Sequence, residues 1–171
     1  MNKKIRHLTK AAVIAAVYVV LTLLSGAFGL AYGNVQFRIS EVMCILPLFT
    51  SAAVPGLTVG CLLANIFSTV NPVDMVIGTF ATLLAAICTR KCRFITIKGF
   101  PFLPLLFPVL FNAVFIGAEI AFFSGADVFL PVFLANALSV GAGEAAVIYA
   151  PGTALFYFIR KNGRMGKFLS D

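Results

Sequence analysis

The apolar residues of this chain come in long unbroken runs, and that arrangement constrains its fold more than any motif does. Ala11 to Leu30 contains no charged side chain. At 1.5 Å of rise per residue a helix of about twenty residues is about 30 Å long, the thickness of a bilayer's hydrocarbon core. Further runs cover Val42–Phe67, Val73–Cys88, Leu103–Phe123 and Val132–Ile159. They neither alternate as half-buried strands do nor repeat in heptads. Only 11% of the 171 residues are charged and 61% are hydrophobic, whereas soluble domains carry about a quarter charged residues. A secreted disulfide scaffold, a disordered tail, a coiled coil and an ordinary water-soluble enzyme are therefore excluded. The expectation is an all-α polytopic membrane protein with a single membrane domain over residues 1–171. It comprises a basic N-terminus (1–10), a helix bundle (11–159) and a basic tail (160–171).

Thirteen Lys and Arg against six acids give a formal charge of +7. Their placement points to topology rather than to nucleic acid. Lys3, Lys4, Arg6 and Lys10 precede the first run. Arg90, Lys91, Arg93 and Lys98 separate two later ones, and Arg160, Lys161, Arg164 and Lys167 follow the last. Basic clusters flanking apolar spans are what the positive-inside rule produces, and anionic headgroups attract the same clusters. Of the four cysteines, Cys44 and Cys61 lie inside apolar runs and Cys88 and Cys92 bracket the Thr89-Arg90-Lys91 turn; a metal reading would need further ligands, and the single histidine, His7, is remote in sequence. No metal and no cofactor are expected.

Charge also decides the number of crossings. Ala11–Leu30 resembles a signal peptide, with Ser25-Gly26-Ala27 as a small-residue cleavage site, but a retained helix is preferred because the remainder is itself a bundle. If Val42–Phe67 crosses once, the last two basic clusters fall opposite the first. If it is a hairpin, turning near Pro47 and Ser51–Gly56, all three share one side. The hairpin gives six transmembrane helices with both termini cytoplasmic, each arm being short for a full crossing; a re-entrant hairpin would give the same parity. Val73–Cys88 opens on Asn71-Pro72, and Val132–Ile159 opens on Pro131. Pro101, Pro104 and Pro108 predict an irregular or kinked entry to the fifth helix.

Candidate chemistry lies in the half away from the basic clusters. Glu119 and Glu144 are carboxylates at membrane depth, where burial costs at least a few kcal/mol unless a cavity, a partner or a proton compensates. Asn112 precedes Glu119 by seven residues and Asn136 precedes Glu144 by eight, so amides and acids share a side of each helix. The outer loops add Tyr32, Gln36, Phe37, Arg38, Ser40, Glu41, Asn71 and Asp74. Ser40 can simply cap a helix, Arg38 can pair with Glu41, and Asp74 can complement a helix dipole. Taken together, the acids favour a ligand carrying positive charge or several donors. Gly56 with Gly60, and Gly141 with Gly143, read as close-packing positions. Ala11 with Ala15, and Ala12 with Ala16, form a smooth face that either packs internally or receives a partner's helix. No nucleophile sits with a base, and no P-loop or HExxH occurs, so no catalytic residue is assigned.

Specific residues then resemble a known family. Tyr32-Gly33-Asn34-Val35-Gln36-Phe37-Arg38-Ile39-Ser40-Glu41, continuing to Leu46-Pro47-Leu48-Phe49, is similar to the first outer loop and second helix of the QueT family. So are Pro55-Gly56-Leu57 with Cys61 to Phe67, and Gly78 to Ala86. The resemblance implies a substrate-binding S-component of an energy-coupling-factor (ECF) transporter in the cell membrane, taking up a queuosine precursor. It implies a six-helix fold with its pocket near the outer surface. It also implies that the alanine face docks on a coupling transmembrane subunit served by two cytoplasmic ATPases, and that the component topples to release its ligand inward. The implied pocket draws on Tyr32, Gln36, Phe37, Arg38, Glu41, Asn71, Asp74, Asn112, Glu119, Asn136 and Glu144. The alternatives are an S-component for another vitamin-like base and a proton-coupled secondary transporter.

Overall fold

The computed structural model describes residues 2–29, 37–66, 72–125 and 128–170. The helices are α1 (Lys3–Ala27), a 3-10 helix (Ile39–Leu48), α2 (Ala53–Ile66), α3 (Pro72–Lys91), α4 (Phe102–Phe123) and α5 (Phe129–Val147). A π-helical turn (Ile148–Gly152) joins α5 to α6 (Thr153–Lys161), and α7 (Gly163–Leu169) closes the chain. Among the described residues the extended pairing is confined to a bridge between Ile97 and Phe100. The chain is all-helical. Among the described residues, four helical stretches are long and apolar enough to cross a membrane: Lys3–Ala27, Val73–Lys91, Phe102–Phe123 and Phe129–Lys161. The 3-10 helix and α2 are shorter apolar helices, the two arms of the Val42–Phe67 stretch.

The turn between those arms falls at Phe49–Ala52, where Thr50 N–H reaches Leu46 O at 3.0 Å and Ala53 N–H reaches Thr50 O at 3.3 Å. Pro55 therefore lies in the first turn of α2, where its missing N–H has no helical partner to lose. Gly56 and Gly60 are pressed against α1. A Cβ on Gly56 would stand 2.9 Å from Ala11 O, and one on Gly60 would stand 2.9 Å from Tyr18 Cβ and 3.1 Å from Ala15 Cα. These paired contacts rise together in number, so α1 and α2 run parallel, with the 3-10 helix returning between them. Gly117 of α4 meets α5 in the same way, since its Cβ would lie 2.8 Å from Ala137 Cα. With lipid on the outside, small residues that let backbones approach replace the hydrophobic drive available in water.

The proline-rich entry of α4 is helical from Phe102 onward, not irregular. Pro104 sits in the first turn. Pro108 has no N–H to give the carbonyl four residues back, which is that of Pro104. The buried Thr89 hydroxyl of α3 donates to that carbonyl at 2.9 Å. Pro151 has a different outcome, because the chain there widens into the π turn, a common way for a helix to absorb such a break. The last stretch begins at Phe129, two residues before the expected opening at Pro131. The basic tail is not an open strand of chain but contains α7, capped by Asn162 Oδ1, which accepts from Arg164 and Met165 N–H.

The three basic clusters share one end of the bundle. Arg6 and the buried Lys10 donate to Ser170 O at 3.2 and 2.7 Å. Arg90 reaches Pro47 O at 3.1 Å, and Arg160 reaches Gly99 O at 3.1 Å. Charged side chains at this end thus stitch loops and the tail to the helix ends. Replacing Thr89 with Val keeps the shape but leaves Pro104 O without its donor. We expect Thr89→Val to cost about 1–3 kcal/mol, read as a lowered melting temperature of the purified protein in detergent.

Candidate functional site

A polar cluster occupies the half of the bundle opposite the basic end. It begins where α1 meets the 3-10 helix. Ser25 Oγ accepts the N–H of Ile39 at 3.0 Å, Thr22 Oγ1 donates to Ser40 Oγ at 2.8 Å, and the Tyr18 hydroxyl donates to Glu41 Oε1. Tyr18, Thr22 and Ser25 follow one another at helical spacing along one side of α1, and each is buried. Ser40 is therefore a partner of α1, not the cap of its own helix. The other Glu41 oxygen accepts from Cys44 Sγ at 2.9 Å.

Arg38 stands just before the 3-10 helix and pairs with Asp74 of α3 at 3.5 Å, not with Glu41 as local spacing allowed. Both are buried, and burial of such a pair is tolerable only with close geometry. Asn65, near the end of α2, donates to the Asp74 backbone carbonyl at 3.4 Å. Gly78 packs on it, since a Cβ there would come within 3.0 Å of Asn65 Nδ2. Thr82 Oγ1 donates to Cys61 Sγ at 3.3 Å, joining α3 to α2 below this point.

The two long final stretches complete the cluster. The Glu144 carboxyl of α5 comes within 4.8 Å of a Glu41 oxygen, and Asn112 of α4 is close enough to influence it. Glu119, two turns beyond Asn112 on α4, lies within electrostatic reach of Asp74 and Arg38. Glu119 and Glu144 are only 6% and 5% exposed. Both oxygens of Glu119, Oε1 of Glu144 and Oδ1 of Asn65 are buried with no hydrogen-bond partner among the described residues.

The structure thus brings together Arg38, Glu41, Asp74, Asn112, Glu119 and Glu144. Asn136 is on α5 but half-buried, its amide donating to Val132 O of its own helix at 2.8 Å. Phe37 is exposed. Tyr32, Gln36 and Asn71 lie outside the described residues. Sequence reasoning missed Tyr18, Cys44 and Asn65 as site residues. Tyr18 carries the one readable signal, a hydroxyl seven residues beyond Ala11 on the face that also holds Ala15. Of the two alanine pairs, Ala11 and Ala15 are buried against α2, while Ala12 and Ala16 are exposed.

The ligand atoms of Glu41, Cys44 and Glu144 all lie within 4.8 Å of one another, close enough that they could hold a cation. Both Glu41 oxygens are already engaged, by the Tyr18 hydroxyl and by Cys44 Sγ.

A family model described as QueT transporter matches residues 8–161, which takes in every element from α1 to α6. The chain belongs to the QueT transporter family. A curated relative, the queuosine precursor transporter QueT of Lactococcus lactis subsp. cremoris (strain MG1363), is 36% identical over 73 residues. That stretch is 43% of this chain and 43% of the relative, so the alignment spans less than half of the relative's length. No solved structure matches this one. The family is one of transporters, not enzymes, and with its apolar helices this QueT-family chain is a multi-pass protein of the cell membrane.

The cluster's first joint is testable. Tyr18→Phe removes the donor to Glu41 Oε1 while keeping the ring. We expect a loss of about 1–3 kcal/mol, seen as an earlier thermal transition of the folded protein.

Proposed function

We propose that this chain is the substrate-binding component of an ECF-type importer and that it captures a queuosine precursor such as 7-aminomethyl-7-deazaguanine. The observation that carries this reading is the pair of buried carboxylates in the half of the bundle opposite the basic end: both oxygens of Glu119 and Oε1 of Glu144 have no hydrogen-bond partner among the described residues. Under the positive-inside rule that half faces outward. Six crossings, with both termini cytoplasmic, follow from the same rule if the 3-10 helix and α2 serve as two short arms. The membrane is thinned locally where they cross.

The chemistry of a 7-deazaguanine suits these residues. Its ring edge presents two adjacent N–H donors that one carboxylate can accept together. Its aminomethyl group adds an ammonium, for which a second acid is the natural partner. Glu119 and Glu144 divide the two tasks, with Asp74 as the reserve for the ammonium. The ring carbonyl needs a donor, which Asn112, Arg38, Gln36 or Asn136 supplies, and Tyr32 and Phe37 offer aromatic faces to the flat ring. Asn71 and Glu41 complete the lining. The curated relative's name, a queuosine precursor transporter, supports the same ligand class.

Energy comes from outside the chain, since a QueT-family S-component works with a coupling transmembrane subunit and two cytoplasmic ATPases. In this reading the component topples after docking and releases its ligand inward. With Ala11 and Ala15 occupied by Gly56 and Gly60, the docking surface is Ala12 and Ala16, flanked by the exposed Val13, Val17 and Val20.

Calorimetric titration of the detergent-purified chain with 7-aminomethyl-7-deazaguanine tests the ligand, with guanine and riboflavin as controls. We expect saturable binding of the deazaguanine alone, with Glu119→Gln and Glu144→Gln each weakening it by at least about tenfold, or about 1.4 kcal/mol. Absence of heat from folded protein, or two variants that bind as well as the parent, would sink the assignment. Docking is tested separately by co-purification with the coupling module. The double change Ala12→Leu, Ala16→Leu should cut recovery about tenfold through overpacking and leave ligand affinity unchanged.

A further inference from the structure

We propose that the elbow between α6 and α7 is a binding site for the headgroup of an anionic phospholipid. A cavity of about 740 Å³ opens there, lined by Phe158, Lys161, Asn162, Gly163, Arg164 and Lys167. Its shape follows from Asn162. The backbone leaves the helix at that residue (φ −88°, ψ 98°), and its side chain accepts the N–H groups of Arg164 at 3.1 Å and Met165 at 3.2 Å. The turn brings Lys161, the last residue of α6, round to Arg164 and Lys167 on α7.

Three like charges thereby line the floor of the cavity, and none has an acidic partner among the described residues. Such a gathering is unfavourable without an anion between the charges. Other contacts hold it in place. Arg6 and Lys10 of α1 fasten Ser170 O, and Leu169 is buried in the core beside Ile159. Among the described residues the elbow is therefore held by α1 and not by a counter-charge. Arg164 has the planar fork that grips a phosphate oxygen pair, and the two lysines add point charges on either side.

The position selects a lipid over a soluble phosphate. The helical stretch Phe129–Lys161 has 33 residues, about 50 Å at helical rise and longer than the hydrocarbon core. Its basic end therefore emerges at headgroup level. One wall of the cavity is Phe158, 55% exposed, and α7 itself carries two further exposed apolar side chains, Met165 and Phe168. An apolar wall beside a cationic floor matches the junction of acyl chain and headgroup. A free phosphate would use the floor and leave the wall idle.

Native mass spectrometry of the full chain in detergent tests this, with dioleoylphosphatidylglycerol, dioleoylphosphatidylcholine and the tail-less glycerol 3-phosphate as probes. We expect retained phosphatidylglycerol adducts, little retained phosphatidylcholine, and no displacement by equimolar glycerol 3-phosphate. Lys161→Gln, Arg164→Gln and Lys167→Gln should each lower retention about fivefold, whereas Lys3→Gln with Lys4→Gln should not. Arg164→Lys, which keeps the charge and loses the fork, should fall between, and it covers the case in which Arg164→Gln fails to fold. Equal retention of the zwitterionic lipid, displacement by glycerol 3-phosphate, or equal loss in the Lys3 and Lys4 double variant would each overturn the proposal.

Discussion

A ladder of three hydrogen bonds from α1, made at Tyr18, Thr22 and Ser25, holds the 3-10 helix against the first long span. That segment is only ten residues long and has the poorer hydrogen-bond geometry of its type. Lipid offers its polar groups nothing, so side chains from a neighbouring helix must do so. Once Ile39, Ser40 and Glu41 are fixed, the register of the segment is fixed with them. Arg38 is then set opposite Asp74, and Cys44 is set on the inner side of Glu41. The parallel approach of α2 onto α1 through Gly56 and Gly60 closes the segment in from the other side.

The long spans were legible because about twenty apolar residues in a row have few alternatives. The break inside Val42–Phe67 was legible from charge parity and from Pro47 and Pro55, although neither fixed its place to better than a few residues. Partners across the bundle were not legible. Arg38 and Glu41 lie three residues apart, and local spacing favoured their pairing. Asp74, 36 residues from Arg38, won because the start of α3 packs beside the start of the 3-10 helix. Alanine spacing likewise gave a smooth face without saying which pair would be covered, since that depends on the opposing glycines. Thr89 is a further case, its role set by a proline nineteen residues later that leaves one carbonyl open. The acids Glu119 and Glu144 stood out in the sequence because charge at that depth is rare.

The two ends of the bundle solve opposite electrostatic problems. At the basic end, cations donate to backbone carbonyls of Pro47, Gly99 and Ser170, using charge as mortar between loops where headgroups and water are near. At the other end, acids are drawn into the interior and few cations accompany them. Arg38 neutralises part of that excess through Asp74 and lies within reach of Glu41 as well. The polarity runs along the bundle's long axis, so a solute attracted by acids would meet the bundle at one end only.

Under the proposed function, this asymmetry links recognition to shape. The cluster draws Arg38, Glu41 and Cys44 from the 3-10 helix and its approach, Asp74 from the first turn of α3, and Glu119 and Glu144 from the long spans α4 and α5. A donor-rich ligand held by Glu119 and Glu144 would satisfy oxygens that have no partner among the described residues, and it would add a polar link between helices α4 and α5, which already pack closely at Gly117 and Ala137. The gain from satisfying a buried acceptor is largest where the dielectric is low. Binding would then stabilise the folded bundle by an amount that grows with the logarithm of ligand concentration above its Kd, tightening the acid-lined end while the mortared basic end stays as it is. A component that must present one fixed face to a partner and yet close around a solute needs that division of labour between its ends.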